Sequence, residues 1–203
     1  MNPVSTNFVL GYHGCDASVA ERVLAGKASL IPSENDYDWL GHGIYFWEHN
    51  AQRALEFALE LRKQPRHRGQ KIRRPGVVGA IIDLGFCLNM LDSRFIGILQ
   101  ENYSEMTAFY AVAGEAIPQN LGGNDLLQRH LDCAVIEFMH TMRIERHEPP
   151  FDTLRAAFIE GNPIYSGASF RTKNHIQICV RNLACIKGYF RPLDDDGKPL
   201  KFA

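Results

Sequence analysis

Three short segments of the sequence join a strand-like apolar run to residue types that can bind a flat, polar ligand. They are Tyr12-His13-Gly14-Cys15, Gly41-His42-Gly43-Ile44-Tyr45-Phe46 and His175-Ile176-Gln177-Ile178. Imidazole and amide groups exchange hydrogen bonds, an aromatic ring stacks on a flat partner, and a glycine lets the backbone approach closely because it has no Cβ. Each segment alone is ordinary, since a histidine after a strand is usually solvated and an aromatic strand is usually core. The signal comes from their combination and order.

Together, these segments resemble the poly(ADP-ribose) polymerase-like branch of the ADP-ribosyltransferases. Members of that branch carry a His-Gly turn, a Gly-x-Gly-Ile-Tyr-Phe strand and a late strand with a glutamate, in that order. The second motif is the most specific match here. A looser likeness extends from Phe8 to Phe190, apart from a helical insertion between Asp92 and Glu145. The resemblance implies a split, mixed or antiparallel β-sheet core, with the three segments converging on one cleft.

The resemblance also implies that the ligand is NAD, used as a co-substrate without a metal. In such a site the backbone of Gly14 would read the nicotinamide amide and His13 would bond a ribose hydroxyl. Tyr45 would stack on the pyridinium ring, whose charge favours an aromatic face, and Gly43 would belong to the same NAD site. Phe57, twelve residues after Tyr45, is either a second aromatic beside the nicotinamide or a core residue.

The third segment departs from the family pattern, because Gln177 stands where the polymerising relatives have their glutamate. A glutamine oxygen still accepts a hydrogen bond from the ribose 2′-hydroxyl, but it brings no negative charge to the cation that forms as nicotinamide leaves. A charge pair at about 4 Å is worth roughly 4 kcal/mol at an effective dielectric near 20. Cleavage should therefore be slow unless another carboxylate substitutes. Glu160, just before the next loop, is the candidate, and the alternative for it is a solvated loop acid.

Residues of the neighbouring loops could extend this site. The loop over residues 165–174 lies where such transferases recognise their acceptor. Arg171 or Lys173 could hold the NAD pyrophosphate or the substrate, or could be exposed basic residues without a fixed partner. His175 should share a strand face with Gln177 and could bind NAD or the acceptor. Two aromatic residues before the second strand could cover the adenine: Tyr37 and Trp39.

The charge of the chain is balanced overall but uneven along its length. Lys and Arg number 22 against 23 Asp and Glu, so the net charge gives no reason to expect a polyanion as an obligatory partner. Yet seven cations and no acid fall within residues 62–74. Such a run is usually a solvated loop, but it could also attract phosphates, and the acceptor would then be a nucleic acid. The cations are Arg62, Lys63, Arg66, Arg68, Lys71, Arg73 and Arg74.

The remaining patterns predict the elements that position these residues. Apolar runs predict strands over residues 8–12, 43–47, 77–84, 153–159, 175–181 and 184–191. Helical spacing predicts helices over residues 18–24, after a cap at Asn50, over about 93–112 and over about 125–145. Strands and helices that do not alternate regularly predict an α+β fold. A chain of 203 residues with 45% apolar content is expected to form one domain over residues 1–203.

Cysteine usage and hydropathy indicate a cytoplasmic protein. The five cysteines form no Cys-x-x-Cys pair, so we expect reduced thiols, most of them buried. No run approaches the roughly 20 apolar residues that span a bilayer, and the first ten residues lack the pattern of a signal peptide. We therefore expect no membrane partner.

The resemblance leads to one main functional hypothesis and two alternatives. The main one is transfer of a single ADP-ribose from NAD to a protein or nucleic acid, because chain elongation in the family depends on the glutamate that Gln177 replaces. Small domains of this kind resemble bacterial toxins and phage-defence effectors, for which an inhibitor or antitoxin protein would be a partner. The alternatives are an inactive module that binds NAD or ADP-ribose and an NAD glycohydrolase. The related RNA 2′-phosphotransferases rely on an Arg and His set that the matching strands lack.

Overall fold

The structure, a computed structural model, describes residues 8–64, 72–194 and 196–200. The chain divides into two compact units. The first comprises Met1–Ile31, Tyr45–Gly85 and Leu183–Ala203, and the second comprises Pro32–Ile44 and Phe86–Asn182. Both contain helices and strands without regular alternation, which confirms the predicted α+β class.

Within the described residues, the elements follow one another in this order. They are β1 (Phe8–Asp16), α1 (Ala17–Leu24), β2 (Ile44–Glu48), α2 (Ala51–Lys63), β3 (Pro75–Asp83), β4 (Cys87–Asn89), α3 (Ser93–Ala113), β5 (Asn120–Leu121), β6 (Gln128–Arg129), α4 (His130–Glu145), β7 (Thr153–Phe158), β8 (His175–Val180) and β9 (Ile186–Phe190). Short 3-10 turns occur at Gly123–Asp125 and Leu183–Cys185.

In the first unit, β1 lies between β2 and β3 and is antiparallel to both. Its pairing with β3 continues to Asp16, whereas its ladder with β2 consists of Gly11 with Glu48 and Tyr12 with Trp47. The expectation that the first strand ends at residue 12 is therefore wrong, because β3 continues to pair with the residues that follow. On the far edge of β3, β9 pairs antiparallel.

Two helices pack against this sheet through small side chains. Ala17 and Ala20 of α1 and Ala54 and Ala58 of α2 are fully buried. The predicted cap of α2 is confirmed, since the side chain of Asn50 accepts a hydrogen bond from the backbone N–H of the third helical residue at 2.8 Å. Small residues on the buried faces allow both helices to approach the strands closely.

In the second unit, β7 is the central strand of a mixed sheet. It is antiparallel to β8, from Thr153 opposite Val180 to Phe158 opposite His175, and parallel to β4. The three residues of β4 are too few to show a period-two pattern, and the sequence did not predict them. The helices α3 and α4 contact each other.

The start predicted for α4 at residue 125 is wrong. The helix begins at His130, and the preceding residues form the β5–β6 hairpin. Gly122, Gly123 and Leu126 adopt left-handed φ angles of 99°, 71° and 47°, which a right-handed helix does not contain. Similarly, β9 begins two residues later than predicted, because a 3-10 turn precedes it.

Two general expectations can be compared with the described residues. All five cysteines are thiols and not disulfides, and all but Cys87 are buried. Among the described helices, none combines the length and the apolar character required to cross a membrane.

Candidate functional site

His13 and Tyr45 meet where the ladder between β1 and β2 ends. Beyond Tyr12 and Trp47, the described residues of these strands form no further ladder pairs. The His13 side chain bridges them instead, with Nδ1 2.8 Å from the carbonyl oxygen of Tyr45. Because a carbonyl oxygen only accepts, Nδ1 carries the proton and donates. The neutral ring then keeps Nε2 as a hydrogen-bond acceptor.

The surroundings of His13 favour this neutral ring. Burial lowers the pKa of His13 below its ordinary value, and the hydrogen bond to the Tyr45 carbonyl offsets only part of that effect. The ring of Phe46 lies edge-on at 5.8 Å. A neutral imidazole with a free acceptor nitrogen can receive a hydrogen bond from a hydroxyl group, which is the chemistry that the resemblance implies for this position.

Gly14 is required by helix packing. A Cβ atom at this position would lie 2.0 Å from the carbonyl oxygen of Ala54 on α2, well inside van der Waals contact. The close approach of α2 to β1 therefore accounts for the absence of a side chain. Recognition of a ligand amide by the Gly14 backbone stays a prediction.

Of the two aromatic residues predicted on this side, Tyr45 is half-buried on β2, and Phe57 is half-buried and packs against the core. The Phe57 ring packs on Trp47, with 4.8 Å between the ring centres, in a cluster with Ala54 and Val77. Phe57 therefore packs against the core, as one of its two alternatives expects. Stacking of either ring on nicotinamide stays a prediction.

In the second unit, Gln177 is hydrogen-bonded to Trp39. Gln177 lies on β8 and is 9% exposed, and its Oε1 accepts a hydrogen bond from the indole Nε1 at 2.7 Å. The sequence suggested that Trp39 covers an adenine. The structure gives Trp39 a partner 138 residues away in the chain, a separation at which no local pattern could reveal the contact. Cover of an adenine by Trp39 stays a prediction.

Trp39 is itself held in a stack. Its ring centre lies 4.7 Å from that of Phe158, and the Arg129 guanidinium lies 5.4 Å from the Trp39 ring centre and 4.7 Å from that of Phe158. Arg129 is anchored in turn by the Asp132 carboxylate and the Asp125 carbonyl, each at 3.3 Å. Sequence reasoning missed Arg129, because it lies in the helical insertion, outside the resemblance.

His175 and Gln177 share one face of β8, as predicted, because each residue of the strand pairs in register with β7. Nδ1 of His175 lies 2.5 Å from the carbonyl oxygen of Lys173, so this nitrogen donates. The His175 ring also packs on Phe158 with 5.2 Å between centres. His175 thus extends the aromatic cluster that contains Trp39.

Glu160 is not a solvated loop acid, because it is only 7% exposed. Its carboxylate lies 3.4 Å from the ammonium of Lys173. The β7–β8 register pairs Ala156 with Gln177. Glu160 therefore lies four residues along the chain beyond the strand partner of Gln177 and two residues after the end of β7.

The loop that follows Glu160 is folded as a hairpin. The N–H of Gly161 bonds the Asp125 carboxylate at 3.0 Å, which ties the loop to the helical insertion. Further along, Pro163 and Arg171 form an isolated bridge. Arg171 is half-buried, and its contact with pyrophosphate or acceptor stays a prediction.

The Gly-x-Gly turn before β2 is packed and charged. A Cβ at Gly43 would lie 2.5 Å from the Cys179 sulfur, so this glycine allows close contact with β8. The backbone N–H of His42 donates to the Glu137 carboxylate at 2.8 Å, and Arg181 donates to the same carboxylate. Burial raises the pKa of Glu137, but these hydrogen bonds outweigh it and hold the pKa below its usual value. The turn is thus pinned by an ionised pair.

Only the ends of the basic run can be placed. Arg62 and Lys63 are in the last turn of α2. The backbone N–H groups of Arg73 and Arg74 bond the Asp16 carboxylate, which also caps α1. The other cations of the run lie outside the described residues: Arg66, Arg68 and Lys71.

Comparison with known proteins adds one short likeness. No model of a known protein family matches the chain, and no solved structure matches it. A stretch of 37 residues is 49% identical to an uncharacterized protein of Methanocaldococcus jannaschii, which amounts to 18% of this chain and 17% of that protein. A match of this extent transfers neither fold nor function.

Proposed function

We propose that the protein is a mono-ADP-ribosyltransferase, which cleaves NAD and transfers one ADP-ribose to a protein or nucleic acid. Its fold would be the ADP-ribosyltransferase type of α+β fold, with a split sheet and a helical insertion. The observation that carries the proposal is the 2.8 Å hydrogen bond from His13 to the Tyr45 carbonyl. It joins the His-Gly and Gly-x-Gly-Ile-Tyr-Phe motifs side by side and leaves a neutral imidazole with an acceptor nitrogen.

The proposal gives these residues the following tasks in NAD binding. Nε2 of His13 accepts a hydrogen bond from a ribose hydroxyl, and Tyr45 stacks on the nicotinamide ring. The backbone of Gly14 reads the nicotinamide amide. Arg171 and His175 bind the remaining polar groups of NAD. These contacts would hold NAD in a bent conformation, which exposes the bond between nicotinamide and ribose to attack.

Bond cleavage requires stabilisation of a positively charged ribose as nicotinamide leaves. Gln177 orients the sugar but carries no charge, so the proposal assigns the negative charge to Glu160. Lys173, at 3.4 Å from that carboxylate, offsets part of the charge. We therefore expect slow cleavage, and an acceptor that supplies its own nucleophile would complete the transfer.

A second candidate, an NAD-binding or ADP-ribose-binding module without catalysis, is favoured by the same neighbourhood. Gln177 is neutral and already bonded to Trp39, and Glu160 is paired with Lys173. A site without an uncompensated carboxylate suits binding better than cleavage. NAD hydrolysis with water as the acceptor is a variant of the first candidate.

The test measures nicotinamide release and label transfer separately. The purified protein is incubated with NAD labelled in the adenylate phosphate, with and without cell lysate, and aliquots are digested with protease, ribonuclease or deoxyribonuclease. Nicotinamide release with label in one class of macromolecule supports the transferase, and release without transfer indicates a glycohydrolase. Calorimetric binding of NAD without release supports the binding module. The absence of both binding and release refutes the NAD assignment.

Matched variants make this test specific for the site. Tyr45→Ala should lose activity, whereas Tyr103→Ala should not, since Tyr103 is a partly exposed tyrosine on α3. Equal activity of the two variants would show that Tyr45 has no role in binding NAD.

A further inference from the structure

The hydrogen bond between Trp39 and Gln177 determines which end of the Gln177 amide is directed at the indole. An indole N–H can only donate, whereas a glutamine amide has one accepting oxygen and two donor hydrogens on its nitrogen. With Oε1 2.7 Å from the indole Nε1, the donor end, Nε2, is directed away from Trp39. The flipped amide would bring two donors together in a buried place, which disfavours it on the order of tenfold or more.

Trp39 cannot easily turn away from this contact. Its ring packs on Phe158 at 4.7 Å, and the Arg129 guanidinium lies against both rings. Arg129 is fixed from the helical insertion by Asp132 and by the Asp125 backbone. The indole therefore presents its N–H from a supported position, and a supported partner is what preorganises a side chain in a binding site.

We propose that Trp39 is a positioning residue that makes Gln177 a hydrogen-bond donor to the bound ligand. The ligand group that contacts Gln177 must then be a hydrogen-bond acceptor, so this position selects ligands with an acceptor there. The proposal rests on the proposed function where it names the ligand, because in NAD the group would be the oxygen of the nicotinamide-ribose 2′-hydroxyl. A glutamate at this position would instead accept a hydrogen bond from the hydroxyl, so Trp39 and Gln177 together reverse the direction of the hydrogen bond.

The first experiment tests the positioning without any ligand. Trp39 and Trp47 are the two tryptophans of the sequence, so a ¹⁵N–¹H spectrum of the full chain contains two indole signals, and Trp39→Phe identifies that of Trp39. Gln177→Leu should shift this signal and speed its exchange with deuterated water. The Trp47 signal is the internal control for folding. Gln177→Glu should preserve slow exchange, because a carboxylate oxygen also accepts.

The second experiment tests the direction of the hydrogen bond to the ligand. Affinities are measured by calorimetry for NAD and for NAD methylated on the nicotinamide-ribose 2′-oxygen, which still accepts but no longer donates. The steric effect of the methyl group is shared by all forms of the protein. Methylation should therefore weaken binding to Gln177→Glu by about fivefold more than binding to the wild type.

The outcomes separate this proposal from the proposed function. Unchanged Trp39 signal and exchange in Gln177→Leu would overturn the positioning role, whatever the protein does with NAD. An equal effect of methylation on wild type and Gln177→Glu would overturn the donor role of Gln177. If no form binds NAD, the proposed function and the ligand part of this proposal both fail, while the indole signals still decide the role of Trp39.

Discussion

His13 bonds the carbonyl of Tyr45 at the position where β1 and β2 cease to pair. The hydrogen bond fixes the tautomer of the imidazole, because the carbonyl oxygen only accepts. The same hydrogen bond therefore contributes to stability and to the proposed NAD binding. Variants of His13 and Tyr45 should separate these two contributions.

Tyr45→Ala should abolish NAD-dependent modification with little loss of stability, because it removes the ring and keeps the carbonyl that accepts from His13. Tyr45→Phe keeps a stacking ring and should retain activity within a few-fold. His13→Ala should abolish activity and also lower the free energy of unfolding by about 1 kcal/mol, the usual net contribution of one hydrogen bond. Kinetics of nicotinamide release together with urea unfolding provide the measurement. Near-wild-type activity in Tyr45→Ala would contradict the assignment.

Arg129→Leu should weaken the support of Trp39, because it removes the guanidinium that lies against the Trp39 and Phe158 rings. A loss of about 1–2 kcal/mol in the free energy of unfolding is expected from the stacking and the bonds to Asp132 and Asp125. Arg129→Lys should recover little of it, since an ammonium does not stack as a flat guanidinium does. The indole signal of Trp39 should shift in both variants.

Arg94 provides the matched control for this substitution. It also pairs with an aspartate, Asp92, but its side chain is 82% exposed. Exposed ion pairs contribute little, so Arg94→Ala should leave the free energy of unfolding nearly unchanged. Equal losses of unfolding free energy for Arg94→Ala and Arg129→Leu would indicate that the stack stabilises the protein no more than an exposed ion pair does.

His140 should make the protein sensitive to mild acid. Burial is the main cause that lowers its pKa to about 4, and within the described residues its two ring nitrogens have no hydrogen-bond partner. The unfolded chain binds a proton near the ordinary value of 6.5, so between these values the unfolded state binds more protons than the native state. The free energy of unfolding therefore falls as the pH decreases from 6.5 to 4, by about 2 kcal/mol at pH 5.

His140→Leu should remove this part of the pH dependence, measured by urea unfolding at pH 7 and pH 5. His147→Asn is the control, because His147 is exposed and its left-handed φ of 58° is tolerated by asparagine. His13, whose pKa is also lowered, contributes in the same direction to all these proteins. The lowered pKa of Glu137 acts only below its ordinary value of 4.5. The same pH dependence in His140→Leu as in wild type would contradict the expectation.

The sequence predicted the elements whose signals are local. Helix α3 begins and ends within one residue of its predicted bounds, since Asp92 caps it and Gly114 ends it with a left-handed φ of 70°. Helix α2 likewise follows its Asn50 cap. The predicted start of α4 is too early, because apolar residues continue at helical spacing before His130. Leu126 has a left-handed φ, which a right-handed helix does not contain. Periodicity reports which face is apolar, and it does not report the handedness of a single residue.

The candidate site was predictable to the extent that its residues lie in motifs. His13 and Tyr45 were paired by resemblance, and the structure joins them. The bond between Trp39 and Gln177 was not predicted, because it spans 138 residues and no pattern in either segment indicates it. Arg129 was not considered at all, since a cation just before a helix has no distinctive pattern. Contacts of this kind depend on the tertiary fold and not on spacing.

Glu160→Gln decides between a working transferase and a binding module. If Glu160 supplies the missing charge, the substitution should lower turnover by orders of magnitude and leave NAD affinity nearly unchanged, because the charge acts on the cation that develops during cleavage. Gln177→Ala should have the smaller effect, since one neutral hydrogen bond contributes about 1 kcal/mol. Turnover is measured by the rate of nicotinamide release, and affinity is measured by calorimetry with NAD.

Lys173→Gln is the matched control, because it breaks the same 3.4 Å ion pair from the other side. It leaves the Glu160 carboxylate in place with less compensation, so turnover should rise or stay level, whereas a purely structural role of the pair would make Lys173→Gln and Glu160→Gln equally harmful. If Glu160→Gln keeps full activity and Gln177→Ala loses it, the Gln177 amide is the essential group, and the acceptor supplies the negative charge that stabilises the ribose cation. If neither the wild type nor Gln177→Glu releases nicotinamide while both bind NAD, the protein is a binding module, since restoring the family's carboxylate should otherwise restore cleavage.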